Sequence, residues 1–211
     1  MSKSQSILVK SRIFVNDLFN KRSTIAALFH NFDHTLEVVH NVKEIATAVN
    51  LNKIDTETVM IAAWFHDTGY LFTRDEHEER SVLIATDFLH DQDFPEKRIK
   101  QIAGCIRATK VPQQPKNLME QIMSDADLLH LGMNDSIERG EMLRAELEGI
   151  TGSELPESDW IKESISFFKG HSYHTTYAKE KYSKARDKNL ALLQKRLLTL
   201  QKKNTKKKQK R

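Results

Sequence analysis

Apolar residues recur along this chain at every third or fourth position, and this spacing predicts a series of amphipathic helices. One helix is expected over residues 34–49. Its apolar stripe consists of Val38, Val42, Ile45 and Val49. Alternating apolar and polar runs are hard to find, and the sequence contains no Asn-Gly or Asp-Gly hairpin turn. We therefore expect an all-α protein.

Capping residues and helix breakers give the expected ends of the helices. Asp55 or Thr56 would cap the third helix, which is expected to end near Gly69. Asn117 would cap a sixth helix that runs through Leu131. Nine helices are expected, over approximately residues 7–19, 34–49, 55–69, 76–90, 95–109, 117–131, 135–148, 157–169 and 175–201.

The length and composition fit one domain. With 211 residues and 39% hydrophobic content, the chain can bury one substantial core. No linker rich in Gly, Ser or Pro interrupts it. We expect an N-terminal helix in residues 1–27 that packs on the bundle and a metal-binding core in residues 28–135. Residues 136–201 are expected to form C-terminal helices that complete the same domain.

The basic character of the chain is concentrated at its end. Residues 202–211 contain seven Lys or Arg and no acidic residue, so without them the net charge changes from +4 to −3. Such a segment is typical of a disordered tail. It lacks aromatic residues for base stacking, so nucleic-acid binding is not expected except through this tail.

Three features of the sequence indicate a cytoplasmic protein. Cys105 is the only cysteine and cannot form an intramolecular disulfide. The N-terminus lacks the apolar core of a secretion signal. No apolar stretch approaches the roughly 20 residues that a membrane-spanning helix needs.

Candidate chemistry begins with an adjacent histidine and aspartate. His66 and Asp67 directly follow seven apolar residues, 59–65. An ionised carboxylate in such surroundings is strongly disfavoured unless something pairs with it, and a metal cation is a suitable partner. The two residues are therefore predicted to be metal ligands.

Two further polar side chains occupy inward positions. His34 lies four residues before Val38 and projects from the same apolar face of its helix. Asp127 follows Met123 by four residues on the buried side of the sixth helix. Asp125 is a rival, but it lies on a different face, and we expect it to support the ligand Asp127.

The order His34, His66-Asp67, Asp127 resembles that of the HD superfamily of metal-dependent phosphohydrolases, whose ligands appear as H…HD…D across a helical bundle. The resemblance covers approximately residues 28–135. It implies an all-α, single HD-domain bundle with additional C-terminal helices. Two imidazoles and two carboxylates favour one divalent ion from Mn, Fe, Co, Ni and Zn over Mg, without choosing among them.

The segment from Phe29 to His34 is similar to the YHNxxH signature of class I cyclic-nucleotide phosphodiesterases and of small bacterial HD hydrolases. Phe29 replaces the tyrosine. In those phosphodiesterases the first histidine is the general acid and the last a metal ligand, which implies these roles for His30 and His34. If the helix begins early, the two rings lie along one face. The unperturbed pKa of histidine suits proton donation near neutral pH.

Residues after His66 and Asp67 in the sequence are candidates for binding substrate or a second metal. His77 matches a position that small HD hydrolases often fill with histidine, and it could face the site and bind substrate, or could lie at a solvated helix N-terminus. Ala108-Thr109-Lys110 replaces a histidine pair of some relatives, which argues against a second metal, although His77, Glu78 and Glu79 could still provide ligands.

Two further pairs are candidates for substrate contact, each with an alternative. Arg107 and Lys110 could hold a phosphate, or could form an exposed basic turn at a helix C-terminus. His171 and His174 could line a substrate pocket, as similar polar-aromatic segments do in small HD hydrolases, or could cap neighbouring helices.

The sequence therefore predicts an enzyme, a metal-dependent phosphohydrolase in which His30 and Asp67 act as catalytic residues. It would cleave a phosphoester or phosphoanhydride bond of a small substrate, expected to be a nucleotide, through a metal-activated water. Diester and monoester or pyrophosphate substrates are not distinguished, and homodimerisation stays open. The alternative is a non-catalytic, nucleotide-sensing module whose basic tail docks on nucleic acid or membrane.

Overall fold

The structure is a computed structural model that describes residues 5–22 and 27–208. Within these residues the chain forms helices joined by short connections, with no strand, which confirms the expected all-α fold. The helices are α1 (Ile7–Arg22), α2 (Phe32–Ala48), α3 (Lys53–Phe65), α4 (His77–His90), α5 (Glu96–Arg107), α6 (Leu118–Asp127), α7 (Ser136–Thr151), α8 (Glu157–Gly170) and α9 (Thr176–Lys208). Two 3-10 turns lie at Thr68–Leu71 and Leu129–Gly132.

The chain divides into two compact units, Met1–Leu128 and Leu129–Arg211. In the second unit the C-terminal helices pack among themselves: α9 lies against α7, α8 and the 3-10 turn Leu129–Gly132. That residues 136–201 complete the same domain stays a prediction. The predicted core corresponds to most of the first unit.

Helix α3 lies at the centre of the first unit, in contact with α1, α2, α5 and α6. Ile61, Ala62, Ala63 and Phe65 have no exposed surface. A helix segment that is covered on all sides is apolar on all sides, as residues 59–65 are, whereas Lys53, Asp55 and Glu57 lie in the first turns of α3. Because α3 ends in the interior, the residue that follows it, His66, is also fully buried.

Helix α1 packs against α3. Its Phe14 ring lies 5.8 Å from the ring of Phe65 in α3 and 4.7 Å from that of Phe88 in α4. Residues 23–26, within the predicted N-terminal segment 1–27, lie outside the described residues.

Three asparagines begin helices of the first unit. The side-chain oxygens of Asn31, Asn52 and Asn117 each accept the backbone N–H three residues later, at 3.0, 3.0 and 3.1 Å. The expected cap at Asn117 is therefore present. The expected cap of α3 at Asp55 or Thr56 is wrong, because Asn52 caps the helix and starts it earlier.

Helix α3 also ends earlier than expected, at Phe65 and not near Gly69. The chain instead forms the 3-10 turn Thr68–Leu71, in which the Gly69 N–H donates to Ser81 Oγ of α4 at 2.8 Å. A Cβ on Gly69 would overlap the backbone oxygen of His77. Glycine is thus required for close packing of the turn against α4, and it does not act as a helix stop.

The expected sixth helix through Leu131 is in fact shorter. Helix α6 ends at Asp127, and the 3-10 turn Leu129–Gly132 follows. The Asn41 side chain of α2 donates to the Ala126 carbonyl oxygen at 3.0 Å. Carbonyls in the last turn of a helix have no intrahelical partner, so this contact satisfies the end of α6.

In the second unit, buried polar side chains tie the 3-10 turn to the last helix and the segment before it. The Tyr173 hydroxyl donates to the Leu129 carbonyl at 3.2 Å. The Asn189 amide of α9 donates to the carbonyls of Leu131 and Met133, at 2.9 and 2.8 Å. These bonds pair backbone groups that would otherwise be buried without partners.

Helix α9 continues to Lys208, into the segment 202–211 that the sequence predicts to be a disordered tail. Lysine and glutamine are good helix formers, and neither Gly nor Pro interrupts this stretch. Residues 209–211 lie outside the described residues. In the part of the chain that the structure describes, no helix combines the length and apolarity needed to cross a lipid bilayer.

Candidate metal centre

Four side chains from three helix ends meet in the interior of the first unit. One ligand atom from each of His34, His66 and Asp127 lies within 4.8 Å of the other two. Asp127 Oδ1 is 3.4 Å from His34 Nε2 and 3.6 Å from His66 Nε2. Asp67 Oδ2 completes the group at 3.5 and 3.1 Å from the same nitrogens. We call these four residues the metal cluster.

Backbone contacts orient both histidines. His34 lies in the first turn of α2, and its N–H is the one that the cap Asn31 accepts. On the far side of the His66 ring, Nδ1 lies 2.8 Å from the Ala63 carbonyl oxygen, which can only accept. Nδ1 therefore carries a proton, and Nε2 is the nitrogen directed into the cluster.

The two candidate aspartates of α6 differ in position. Asp127 contributes an oxygen to the cluster of ligand atoms, whereas the fully buried Asp125 does not. Asn41 holds the helix end beside Asp127 through its bond to Ala126. This placement agrees with the choice of Asp127 over Asp125 from helical spacing.

The charges of the cluster perturb one another strongly. Burial lowers the pKa of His66, but the carboxylates of Asp67 and Asp127 outweigh this effect and hold it well above 6.5. Burial raises the pKa of Asp67 and of Asp127, but the imidazoles of His66 and His34 hold both far below their ordinary values. Two buried carboxylates thus attract positive charge to this point.

Two buried polar atoms of the metal cluster have no hydrogen-bond partner in the described part of the chain. They are His66 Nε2 and Asp67 Oδ2. Buried polar atoms are almost always satisfied, so two such atoms that face each other in the interior indicate a site suited to a cation. Two imidazole nitrogens and two carboxylate oxygens are the donor set of a divalent transition metal, so the residues present fit such an ion.

His30 lies beside the cluster, although not on a helix. Helix α2 begins at Phe32, so the early helix start that would align His30 with His34 does not occur. The chain bends at residues 28–31, and the His30 ring lies 6.2 Å from the His34 ring, edge to face. The bend thus brings together the two rings that the helix would have aligned.

Comparison with known proteins identifies this arrangement. The HD domain family model matches residues 31–132. The chain carries an HD domain. The match includes all four residues of the metal cluster and confirms the resemblance seen in the sequence. His30 lies one residue before it.

A solved structure has a similar fold over most of the chain. It is that of a protein described as a predicted HD superfamily hydrolase from an uncultured Thermotogales bacterium, and it aligns with a TM-score of 0.60. The alignment covers 92% of each chain at 20% sequence identity. No curated protein matches the sequence.

His77 faces the metal cluster of the HD domain from the N-terminus of α4. Its Nε2 lies 3.7 Å from Asp67 Oδ1 and 3.7 Å from Glu78 Oε1. Its Nδ1 lies 2.9 Å from the Arg74 carbonyl oxygen, so Nε2 is the nitrogen turned toward Asp67. The structure therefore brings His77 to the edge of the cluster, where it can contact a substrate.

Arg107 and Lys110 take part in ion pairs at the end of α5. Arg107 donates two hydrogen bonds to Glu79, at 2.7 and 2.9 Å, and Lys110 lies 2.9 Å from Glu76. The hydrogen bonds from Arg107 lower the pKa of Glu79. Both cations line a groove of about 440 Å³ that contains no residue of the metal cluster. This arrangement favours the alternative of a basic turn.

His171 and His174 belong to the second unit. The His171 ring lies 5.0 Å from the buried Tyr173 ring, edge to face, and 6.4 Å from the Phe167 ring. His174 is half-buried between the buried residues Tyr173 and Thr175. Both histidines follow the end of α8, a position that agrees with the alternative of capping neighbouring helices.

Sequence reasoning missed three residues that shape the centre of the HD domain. Asn31 caps α2 at His34, Asn41 binds the end of α6, and the Tyr70 ring stacks on His30. Asn41 lies seven residues after His34, on the same helix face, and its polarity on an apolar stripe is a signal for a buried partner. No spacing rule connects Tyr70 with His30.

Proposed function

We propose that this HD domain is the core of a metal-dependent phosphohydrolase that cleaves a phosphoester or phosphoanhydride bond of a small phosphorylated molecule, a nucleotide being the expected substrate. The observation that carries the proposal is the buried metal cluster with a histidine outside it. An ordinary structural ion pair requires neither four metal-binding side chains at one point nor buried polar atoms without a hydrogen-bond partner.

His34, His66, Asp67 and Asp127 would hold one divalent cation. When bound, the cation would polarise a phosphoryl oxygen and lower the pKa of a water molecule. The two imidazole nitrogens favour Mn, Fe, Co, Ni or Zn over Mg, which prefers oxygen ligands.

Asp67 is suited to a second role beside ligation. Its Oδ2 faces the histidine nitrogens of the cluster, whereas its Oδ1 faces His77 at 3.7 Å. Oδ1 can therefore orient the attacking water and accept its proton. His77 Nε2 can contact a substrate oxygen held next to Asp67.

His30 is suited to protonate the leaving group. Its ring lies beside the cluster but is not part of it, so it can carry a proton while the ligand histidines bind metal. A protonated imidazole near the scissile bond donates to the leaving oxygen as the phosphorus–oxygen bond breaks. Arg107, Lys110, His171 and His174 have no part in this proposal.

A panel of phosphorylated substrates tests the proposal. Purified protein loaded with Mn, Co, Ni, Zn or Mg is incubated with nucleoside monophosphates, triphosphates, cyclic nucleotides and model esters, and the products are identified. Matched mono- and diesters separate the two classes of activity. His66→Ala should lose turnover. His90→Ala is the control, because His90 is exposed and its ring pairs with Glu96, away from the metal cluster.

Release of phosphate or nucleotide by the wild-type protein and not by His66→Ala would support the proposal. A protein that hydrolyses none of these substrates with any of the metals would contradict it. Metal-dependent nucleotide binding without turnover would instead indicate the non-catalytic, nucleotide-sensing module.

A further inference from the structure

The ring of Tyr70 covers one face of the His30 imidazole. The two ring centroids are 4.0 Å apart and the planes are inclined by 22°, which is a stacked arrangement. Aromatic pairs in such arrangements are stabilised beyond the area they bury. The contact with Tyr70 therefore favours one orientation of the imidazole.

The His30 ring is not positioned by a helix. His30 lies in the bend at residues 28–31, before the first residue of α2. The neighbouring rings of Phe29, His34 and His77 lie 5.0, 6.2 and 6.2 Å away and are tilted or edge-on. Among these ring contacts, the one with Tyr70 has the shortest centroid distance.

Tyr70 is itself held in register with the metal cluster. It belongs to the 3-10 turn Thr68–Leu71, and its N–H donates to the Asp67 carbonyl oxygen at 3.0 Å. The turn is fixed to α4 through the bond from Gly69 to Ser81, and its packing leaves no room for a Cβ on Gly69. These contacts fix the backbone of Tyr70 relative to Asp67, a residue of the metal cluster.

We propose that Tyr70 is a positioning residue that holds the imidazole of His30 in line with the leaving oxygen of the substrate. This inference rests on the proposed hydrolase activity. In the reaction, the water oxygen bonds to phosphorus and gives its proton to Asp67, and the phosphorus–oxygen bond of the leaving group breaks. His30 donates a proton to the departing oxygen and recovers one from solvent. Tyr70 does not touch the reacting atoms.

The test compares two esters with the same phosphoryl group and different leaving groups. An alkyl alcohol is a poor leaving group that needs a proton from His30, whereas p-nitrophenolate departs without one. General acid catalysis contributes about 100-fold to 10,000-fold. In Tyr70→Leu, kcat for the alkyl ester should fall about tenfold or more, and kcat for the p-nitrophenyl ester should change by less than about threefold.

Variants with defined differences separate positioning from folding. Tyr70→Phe keeps the stacking face and should retain wild-type kcat for both esters. Phe72→Leu is the matched control, because it removes an aromatic ring two residues from Tyr70. Phe72 is exposed, and its ring contacts the guanidinium groups of Arg22 and Arg80. Metal content should be unchanged in all three variants. Adding Tyr70→Leu to His30→Ala should cause no further loss with the alkyl ester.

Equal loss with both esters in Tyr70→Leu, or a loss in Tyr70→Phe that matches it, would overturn the positioning role. Failure of the wild-type protein with every substrate would refute the proposed function instead, so the two failures are distinguishable. If Tyr70→Leu does not fold, Tyr70→Met gives the same comparison, since it keeps side-chain volume without a stacking face.

Discussion

At the scale of single residues, the metal cluster is defined by a balance of charge. Two carboxylates and two imidazoles lie within a few ångströms of one another, and His66 has no exposed surface. Without a cation, a proton on His66 offsets the carboxylates, which is why its pKa is raised. A bound metal would replace that proton, so metal binding and proton release are coupled.

This coupling predicts a pH-dependent stability of the metal-free protein. Folding raises the pKa of His66 above 6.5, so its contribution is complete below pH 6.5 and is lost as the pH rises through the raised value. Folding lowers the pKa of Asp67 and Asp127, so their contribution is present above pH 3.8 and is lost only in stronger acid.

Thermal unfolding from pH 5 to 9, with and without a chelator, measures the effect. The metal-free protein should become less stable at alkaline pH, and bound metal should remove most of this loss because it takes the place of the proton. A melting temperature that is independent of pH in the metal-free protein would contradict the assigned charge balance.

His30 should affect turnover without affecting metal binding. Because its ring is beside the cluster and not part of it, His30→Ala should retain metal and lower kcat by about 100-fold or more with a substrate that has a poor leaving group. Metal content and steady-state kinetics of the same sample check both parts. Loss of metal in proportion to activity would show that His30 is a ligand and not the acid.

At the scale of helices, the cap of α2 connects folding to the metal cluster. Asn31→Ala removes the hydrogen bond to the His34 N–H, which should destabilise the protein by about 1 kcal/mol. It should also weaken metal affinity, because His34 lies in the turn that frays. Asn31→Asp should restore both properties.

Asn52→Ala is the matched control for this prediction. It removes the same kind of cap from α3, at the end of that helix opposite the metal cluster. Its stability loss should be similar, with unchanged metal affinity. Chemical denaturation and metal titration of the two variants make the comparison, and equal metal affinity in both would refute the link between the α2 cap and the metal cluster.

Helical periodicity is sufficient to predict the helices and the inward position of the cluster residues. His34, His66 and Asp127 each continue an apolar stripe, so helical spacing alone places them on inward faces. The early ends of α3 and α6 are not predictable in this way, since they depend on partners distant in sequence: Ser81 near Gly69, and Asn41 at Ala126.

The His30 neighbourhood is also beyond sequence reasoning. A helix through residue 30 would have aligned its ring with His34, whereas the structure uses a bend to do so. Stacking between that bend and a 3-10 turn follows no periodic rule, so Tyr70 carries no signal in the sequence. The positions of His30 and Tyr70 thus depend on local turns, which helical periodicity does not predict.

At the scale of the whole molecule, all four residues of the metal cluster belong to the first of the two compact units. Removal of residues 202–211 deletes the basic end of α9 in the second unit. The truncated protein should therefore retain metal content and turnover within about twofold of the wild type, because changes away from a site usually have small effects.

Elemental analysis, kinetics and a nucleic-acid binding assay of the truncated protein check this prediction. Unchanged turnover with lost nucleic-acid binding would give the basic segment an accessory role. Loss of metal on truncation would contradict the assignment of the metal cluster to the first unit alone.

His34, His66, Asp67 and Asp127 are proposed to bind one divalent cation together. The decisive experiment is elemental analysis of protein that is purified without chelator and supplied with transition metals. One divalent ion per chain is expected in the wild-type protein and in His90→Ala, and none in His66→Ala with the fold retained. A wild-type protein that binds no metal, or a folded His66→Ala that binds as much as the wild type, would contradict this proposal.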